Sequence, residues 1–213
     1  MRMSKTCYLI YMKPLLMLML TILIPGVTLA TEEPAYKVVA TYEDFEVREY
    51  QAIIIAQTIV KESFEDAGNA GFRILAKYIF GDNQARTKIA MTAPVGQVVE
   101  PVTEKIEMTA PVTLAKSEAG YAIQFTMPKE YTLNTLPVPN DKRIEIREIP
   151  ARKVAVYKYS GSWSEERYQE KLALFRAALE KSSVTVVGEP MLARFNSPFM
   201  IWFLRRNEIW FNL

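Results

Sequence analysis

The chain has 213 residues, with 26 lysines and arginines against 24 acids and no histidine. That near-balance excludes a nucleic-acid partner, which calls for a clear basic excess. A single cysteine leaves no internal disulfide to staple a small fold, so one domain must stand on its hydrophobic core.

Residues 1–30 carry Arg2, Lys5 and Lys13 and no acid, then an apolar run from Leu15 to Ile24 and a Pro25-Gly26 break. Ala30 follows, ahead of the acidic Thr31-Glu32-Glu33. A positive start, an apolar middle and a small residue at the end form the pattern of a secretory signal peptide. Cleavage is expected near Ala30, with export to the periplasm or an equivalent space. The alternative is an uncleaved anchor over residues 8–30 that tethers the chain to the inner membrane. Lys13-Pro14 interrupts that span, and the clean apolar run is shorter than the ~20 residues a membrane helix needs. Three of the 26 cations lie in residues 1–30, so 23 remain against 24 acids, a net of −1, and Cys7 leaves with the segment. Residues 31–213 then read as a single domain, expected to be a monomer with no membrane contact unless the leader stays.

Phe45–Ala56, "FEVREYQAIIIA", is matched 99 residues later by Ile144–Ala155, "IEIREIPARKVA". The same offset places Ser63 on Ser162, Phe64 on Trp163 and Leu75 on Leu174. This reads as an internal duplication in which each half passes from an extended segment to a helix, then to two strands. The first helix opens at Ser63-Phe-Glu-Asp66 and lays Phe64, Ala67, Gly71, Leu75 and Tyr78 along one face. Gly68 and Gly71 weaken it by up to ~1 kcal/mol each relative to alanine, which suggests tight packing on a sheet. "KIAMTAPV" at 88–95 and "KIEMTAPV" at 105–112 agree at seven of eight positions and are expected to pair as neighbouring strands of a hairpin. Met91 and Met108, on the apolar parity of each copy, are expected to pack. Strands are also expected at Ile53–Ile59, Tyr121–Met127, Lys153–Tyr159, Val184–Val187 and Ile209–Leu213. The second helix opens at Ser162-Trp-Ser-Glu165, read as a capping box with Ser162 as the cap, and buries Tyr168, Leu172, Phe175 and Leu179.

"GFRILAKYIFGDN", the two repeats, "FTMPKEYTLNTLPVP", "ARFNSP" and "FLRRNEIW" occur in one order, and with them the chain resembles the SOUL/heme-binding-protein family over residues 36–213. The resemblance implies an α+β fold: a distorted β-barrel flanked by two helices, built from two pseudo-symmetric strand-helix-strand-strand halves. That fold is similar to the effector-binding domains of bacterial regulators, which use a cleft between the halves. It also implies a small-molecule partner, b-type haem or another tetrapyrrole, bound non-covalently beside the first helix.

The residues constrain how such a ligand is held. Haem iron is usually held by His, Cys, Met or Tyr. Some relatives carry a His directly after the Glu-x-Arg of the first strand, where this chain has Glu49. Binding is therefore expected through apolar contact, with cations meeting the propionates. The candidate ligand-binding residues are Phe72, Arg73, Lys77, Met91 and Met108. Relatives often have prolines ahead of Phe-Leu-Arg-Arg, whereas Met200-Ile201-Trp202 stand here and make that loop more apolar. In Arg205-Arg206-Asn207-Glu208 an Arg–Glu pair is expected to fix a strand end. With no His and no mature Cys, no catalytic residue and no metal site is assigned. The chain reads as a binding protein, the alternatives being an interaction module with a vestigial cleft and a tetrapyrrole-processing enzyme.

Overall fold

β-branched and aromatic runs set the strands, and two amphipathic segments set the helices. The computed structural model describes residues 31–86 and 102–213. The expectations for the leader (1–30) and for the first repeat copy (88–95, with Met91) lie outside the described residues. In chain order the elements are β1 (Tyr36–Thr41), β2 (Glu46–Tyr50), β3 (Ile53–Val60), α1 (Phe64–Ile79), β4 (Asn83–Gln84), β5 (Val112–Ser117) and β6 (Gly120–Thr126). There follow β7 (Val138–Pro139), β8 (Glu145–Ile149), β9 (Arg152–Tyr159), α2 (Glu165–Lys181), β10 (Val187–Arg194), a 3-10 turn (Trp202–Leu204) and β11 (Asn207–Asn212).

Nine strands form one antiparallel sheet in the order β1-β2-β9-β11-β10-β5-β6-β3-β8, while β4 and β7 pair separately. The sheet curls into a half-barrel and keeps β1 and β8 as edges. Shifting β2 and β3 by 99 residues lands on the observed bounds of β8 and β9. The halves therefore correspond, and they exchange strands: β2 pairs with β9, and β8 pairs with β3. β5 and β10 join the halves at the centre.

The main core lies under the helices. Leu75 and Tyr78 of α1, Phe175 of α2, Ile123 of β6 and Phe211 of β11 share one buried cluster. Phe175 meets Phe45, Tyr157 and Phe211 at centroid distances of 5.6, 5.5 and 5.6 Å. Side chains alternate faces along a strand, and β9 shows both faces filled. Ala155 joins the helix-side core, while Val154 and Val156 join Tyr50, Met191 and Trp210 in a second cluster.

Three local expectations need correction. The second repeat, 105–112, is not a strand of a hairpin: it runs as an irregular strap with one isolated bridge, Glu32–Thr109, outside the named strands, Thr109 donates its hydroxyl to the Thr126 carbonyl at the end of β6, and β5 starts at Val112. Its backbone is committed elsewhere, since the Ile106 N–H donates to the Ile79 carbonyl at the end of α1 and the Ala110 N–H to the Glu32 carbonyl. Ile106, Thr109, Ala110 and Pro111 are buried, whereas Met108 is 38% exposed, so it does not pack in the core. The cap of α2 is Ser164 rather than Ser162: the Ser164 hydroxyl accepts the Arg167 N–H. At α1, Ser63 is the cap as expected, accepting the Asp66 N–H. The strand expected at 184–187 begins at Val187 and runs to Arg194. Gly188, with φ at +72°, and Pro190, which has no N–H, sit within its shifted register and break the strand pattern.

Candidate ligand site

α1 brings Arg73 and Lys77, one turn apart, to its exposed side. The end of β3 and the residues after it run beside them. Together with Arg143, which precedes β8, they line a groove of about 460 Å³. Its apolar wall is Ile59, Val60, Ala70 and Ile74, and its charges are Lys61, Arg73, Lys77 and Arg143 against Glu62. Arg143 is anchored through Asp141, with Nη2 to Oδ2 at 2.6 Å and Nε to Oδ1 at 3.0 Å. The guanidinium holds the Asp141 carboxyl down at about 2, so Asp141 stays ionised and keeps Arg143 in place across the ordinary pH range. An apolar strip rimmed by four cations suits a flat apolar molecule with acidic substituents. A volume of this size falls within the ~300–1,000 Å³ of ordinary ligand sites.

Of the expected site residues the groove gathers Arg73 and Lys77. Phe72 points the other way and packs on Phe125, at 5.3 Å between ring centroids. Met108 does not line the groove. Lys61 and Arg143 were not anticipated. They are 82 residues apart in sequence, and only the pairing of β3 with β8 brings their neighbourhoods together.

Two other cavities match such a ligand less well. A cleft of about 590 Å³ beside the start of β3 and the end of β6 carries Glu32, Glu33 and Glu148 against Lys129 alone, a charge that repels anions. The cleft between α1 and α2 is only about 270 Å³, because Phe64 and Tyr168 stack across it at 4.9 Å.

A buried charged network occupies the outer face of the sheet. Arg48 and Glu208 are both fully buried and paired twice, at 2.8 and 3.1 Å. The Arg48 guanidinium also donates to the Tyr50 hydroxyl, and Glu208 accepts the Trp210 indole N–H at 2.7 Å. Arg206 donates to Glu208 at 2.9 Å, so the expected Arg–Glu pair does fix the start of β11. This network joins β2 to β11 and has no opening through which a ligand passes to it among the three cavities described.

The family model described as SOUL heme-binding protein matches residues 31–212. The chain belongs to the SOUL family. It is similar to human heme-binding protein 2, at 29% identity over 169 residues, covering 78% of this chain and 76% of that protein. It is also similar to heme-binding protein 1 of Xenopus tropicalis, at 27% identity over 168 residues, covering 78% and 82%. Among solved structures, an uncharacterized conserved protein from Listeria innocua shares the fold, with a TM-score of 0.50, 11% identity and coverage of 81% and 93%. The two-helix half-barrel is thus the fold of this SOUL chain, and the α1 groove is a feature of its own residues.

Proposed function

We propose that this SOUL-family chain is an exported binding protein for haem or another tetrapyrrole, seated in the α1 groove by apolar contact and by Lys61, Arg73, Lys77 and Arg143. The observation that carries the reading is the composition of that groove: an apolar wall with four cations and one acid at its rim. The names of the curated relatives support the ligand class. None of the groove's lining residues is a His, Cys, Met or Tyr, so the residues fit a porphyrin ring and its propionates and offer the iron no ligand. Affinity then comes from ring burial, ~25 cal/mol per Å² before association costs, and from exposed ion pairs worth ~0–1 kcal/mol each.

The test is a parallel titration of haemin and metal-free protoporphyrin. The two are expected to bind about equally. Arg73→Ala with Lys77→Ala is expected to weaken both by no more than about tenfold, the ~1.4 kcal/mol two weak pairs supply. A strong preference for the iron-bearing ring would mean that a side chain contacts the metal. Absence of any saturable absorbance change at micromolar ligand would favour an interaction module instead. Export is tested separately: N-terminal sequencing of protein from cells is expected to start near Thr31, and an intact Met1 species in membranes would show an anchor.

A further inference from the structure

The loop between β10 and β11 exposes six consecutive apolar side chains: Phe199, Met200, Ile201, Trp202, Phe203 and Leu204. Phe199 is 94% exposed, and Trp202 and Leu204 are each 60% exposed. Single exposed apolar residues need no explanation, but a contiguous patch marks an interaction surface. The loop is built rather than slack. Its neck is closed where the Phe195 N–H donates to the Arg206 carbonyl and the Arg206 N–H to the Asn196 side chain. Inside the tip, the Met200 N–H donates to Ser197 and the Leu204 N–H to Ile201, and Trp202 and Phe203 meet edge-on at 5.4 Å. Arg205 ties the tip to its base: Nη2 donates to the Pro198 carbonyl at 2.7 Å and Nε to the Met200 carbonyl at 2.9 Å. Its guanidinium lies 4.3 Å from the Trp163 ring, with that of Arg194 at 4.8 Å on the same ring.

We infer that this tip is a membrane-docking loop, which inserts its apolar side chains at the boundary between headgroups and acyl chains of an anionic lipid surface. The chemistry of the tip matches a lipid surface. A backbone entering an apolar medium must satisfy its own polar groups, and here the carbonyls of Pro198, Met200, Ile201 and Trp202 are taken up by Arg205 and by the 3-10 turn. An exposed Trp among aliphatic side chains is the composition of interfacial anchors. Arg205, which forms no ion pair among the described residues, leaves positive charge at the base, where anionic headgroups would lie. This docking does not depend on the ligand proposed for the α1 groove.

The test uses the full chain with phosphatidylcholine vesicles, with and without phosphatidylserine, and with lipid brominated in its acyl chains. Trp202 emission is expected to shift to the blue and to be quenched by the brominated lipid. Both effects should vanish in Trp202→Phe, which leaves Trp163 and Trp210 as controls. Phe199→Ser with Phe203→Ser is expected to lower the partition of the loop at least about tenfold, because burying even one large apolar side chain is worth more than a decade in an equilibrium. All three positions are exposed, so an unchanged thermal midpoint confirms intact folding. A chain held on vesicles by residues 1–30 alone would leave Trp202 unquenched and overturn the inference. So would self-association of the intact chain that the double variant abolishes, since the tip would then join two copies.

Discussion

At the residue scale, Arg48 is the side chain whose environment departs furthest from the ordinary. A fully buried guanidinium persists because Glu208 takes two of its N–H groups, Glu46 the Nε–H and Tyr50 another. Breaking that pair from one side should be severe: Arg48→Met is expected to cost ~3–5 kcal/mol, because Glu208 is left buried with one cation fewer. Arg48→Met with Glu208→Gln should cost less than the single change, since the amide oxygen still accepts from Trp210 and no buried charge is stranded. Denaturant titration of the three proteins checks this, and a double variant less stable than the single one would refute it. Burial also pushes the hydroxyls of Tyr50 and Tyr159 up to about 12 from an ordinary 10.0. The unfolded chain then loses these protons near pH 10 while the folded chain keeps them. Stability contributed by the neutral phenols is complete below pH 10 and drains as the pH rises toward 12. Unfolding midpoints measured across that window should fall, and Tyr50→Phe should flatten the decline.

At the element scale, the two glycines of α1 have different reasons to be there. A Cβ on Gly71 would meet the Ile123 side chain at 2.5 and 2.6 Å, and Ile123 is fully buried on β6 with nowhere to go. Gly71 is thus the point where the helix backbone rests on the sheet, and Gly71→Ala is expected to cost ~1–3 kcal/mol through overpacking. A Cβ on Gly68 would meet only the guanidinium of Arg194, the far end of a long side chain, with Nη1 at 2.5 Å and Cζ at 3.4 Å. Gly68→Ala should be close to neutral, with the helix gain of up to ~1 kcal/mol offsetting the displaced guanidinium. Thermal melts that ranked the two variants the other way would overturn this account. Close packing of helix on sheet was legible from the glycine spacing, but which glycine makes the contact was not, because that depends on the rotation of α1 over β6.

At the scale of the whole molecule, strand exchange makes each half incomplete. β2 belongs by sequence to the first half but lies between β1 and β9, and β8 belongs to the second half but closes the far edge on β3. Cutting the chain in the loop between β6 and β7 should therefore give two fragments that do not fold alone, since each would bare an unpaired strand and half a core. Co-expressed, they should associate and recover the spectrum of the intact protein. A fragment with a cooperative melt of its own would show that the exchange is dispensable.

Local patterning by itself determined the two helices, their buried faces, the cap at Ser63 and the 99-residue correspondence of the halves, because each depends on neighbours a few residues apart or on direct comparison of two segments. The family motifs carried the fold class. Tertiary structure alone decided that the second repeat copy is a strap and that Met108 is exposed, since backbone hydrogen bonds to Ile79 and Glu32 overrode the alternation of apolar residues; it also turned Phe72 inward onto Phe125. It also decided the groove. Arg73 and Lys77 were legible as a helical pair, but Lys61 and Arg143 join them only through the pairing of β3 with β8, a long-range register that no local period encodes. At the start of β11 the Arg206–Glu208 pair was legible, but the burial of Asn207 and Glu208 was not, because the Trp163 and Arg48 that satisfy them arrive from elsewhere in the chain.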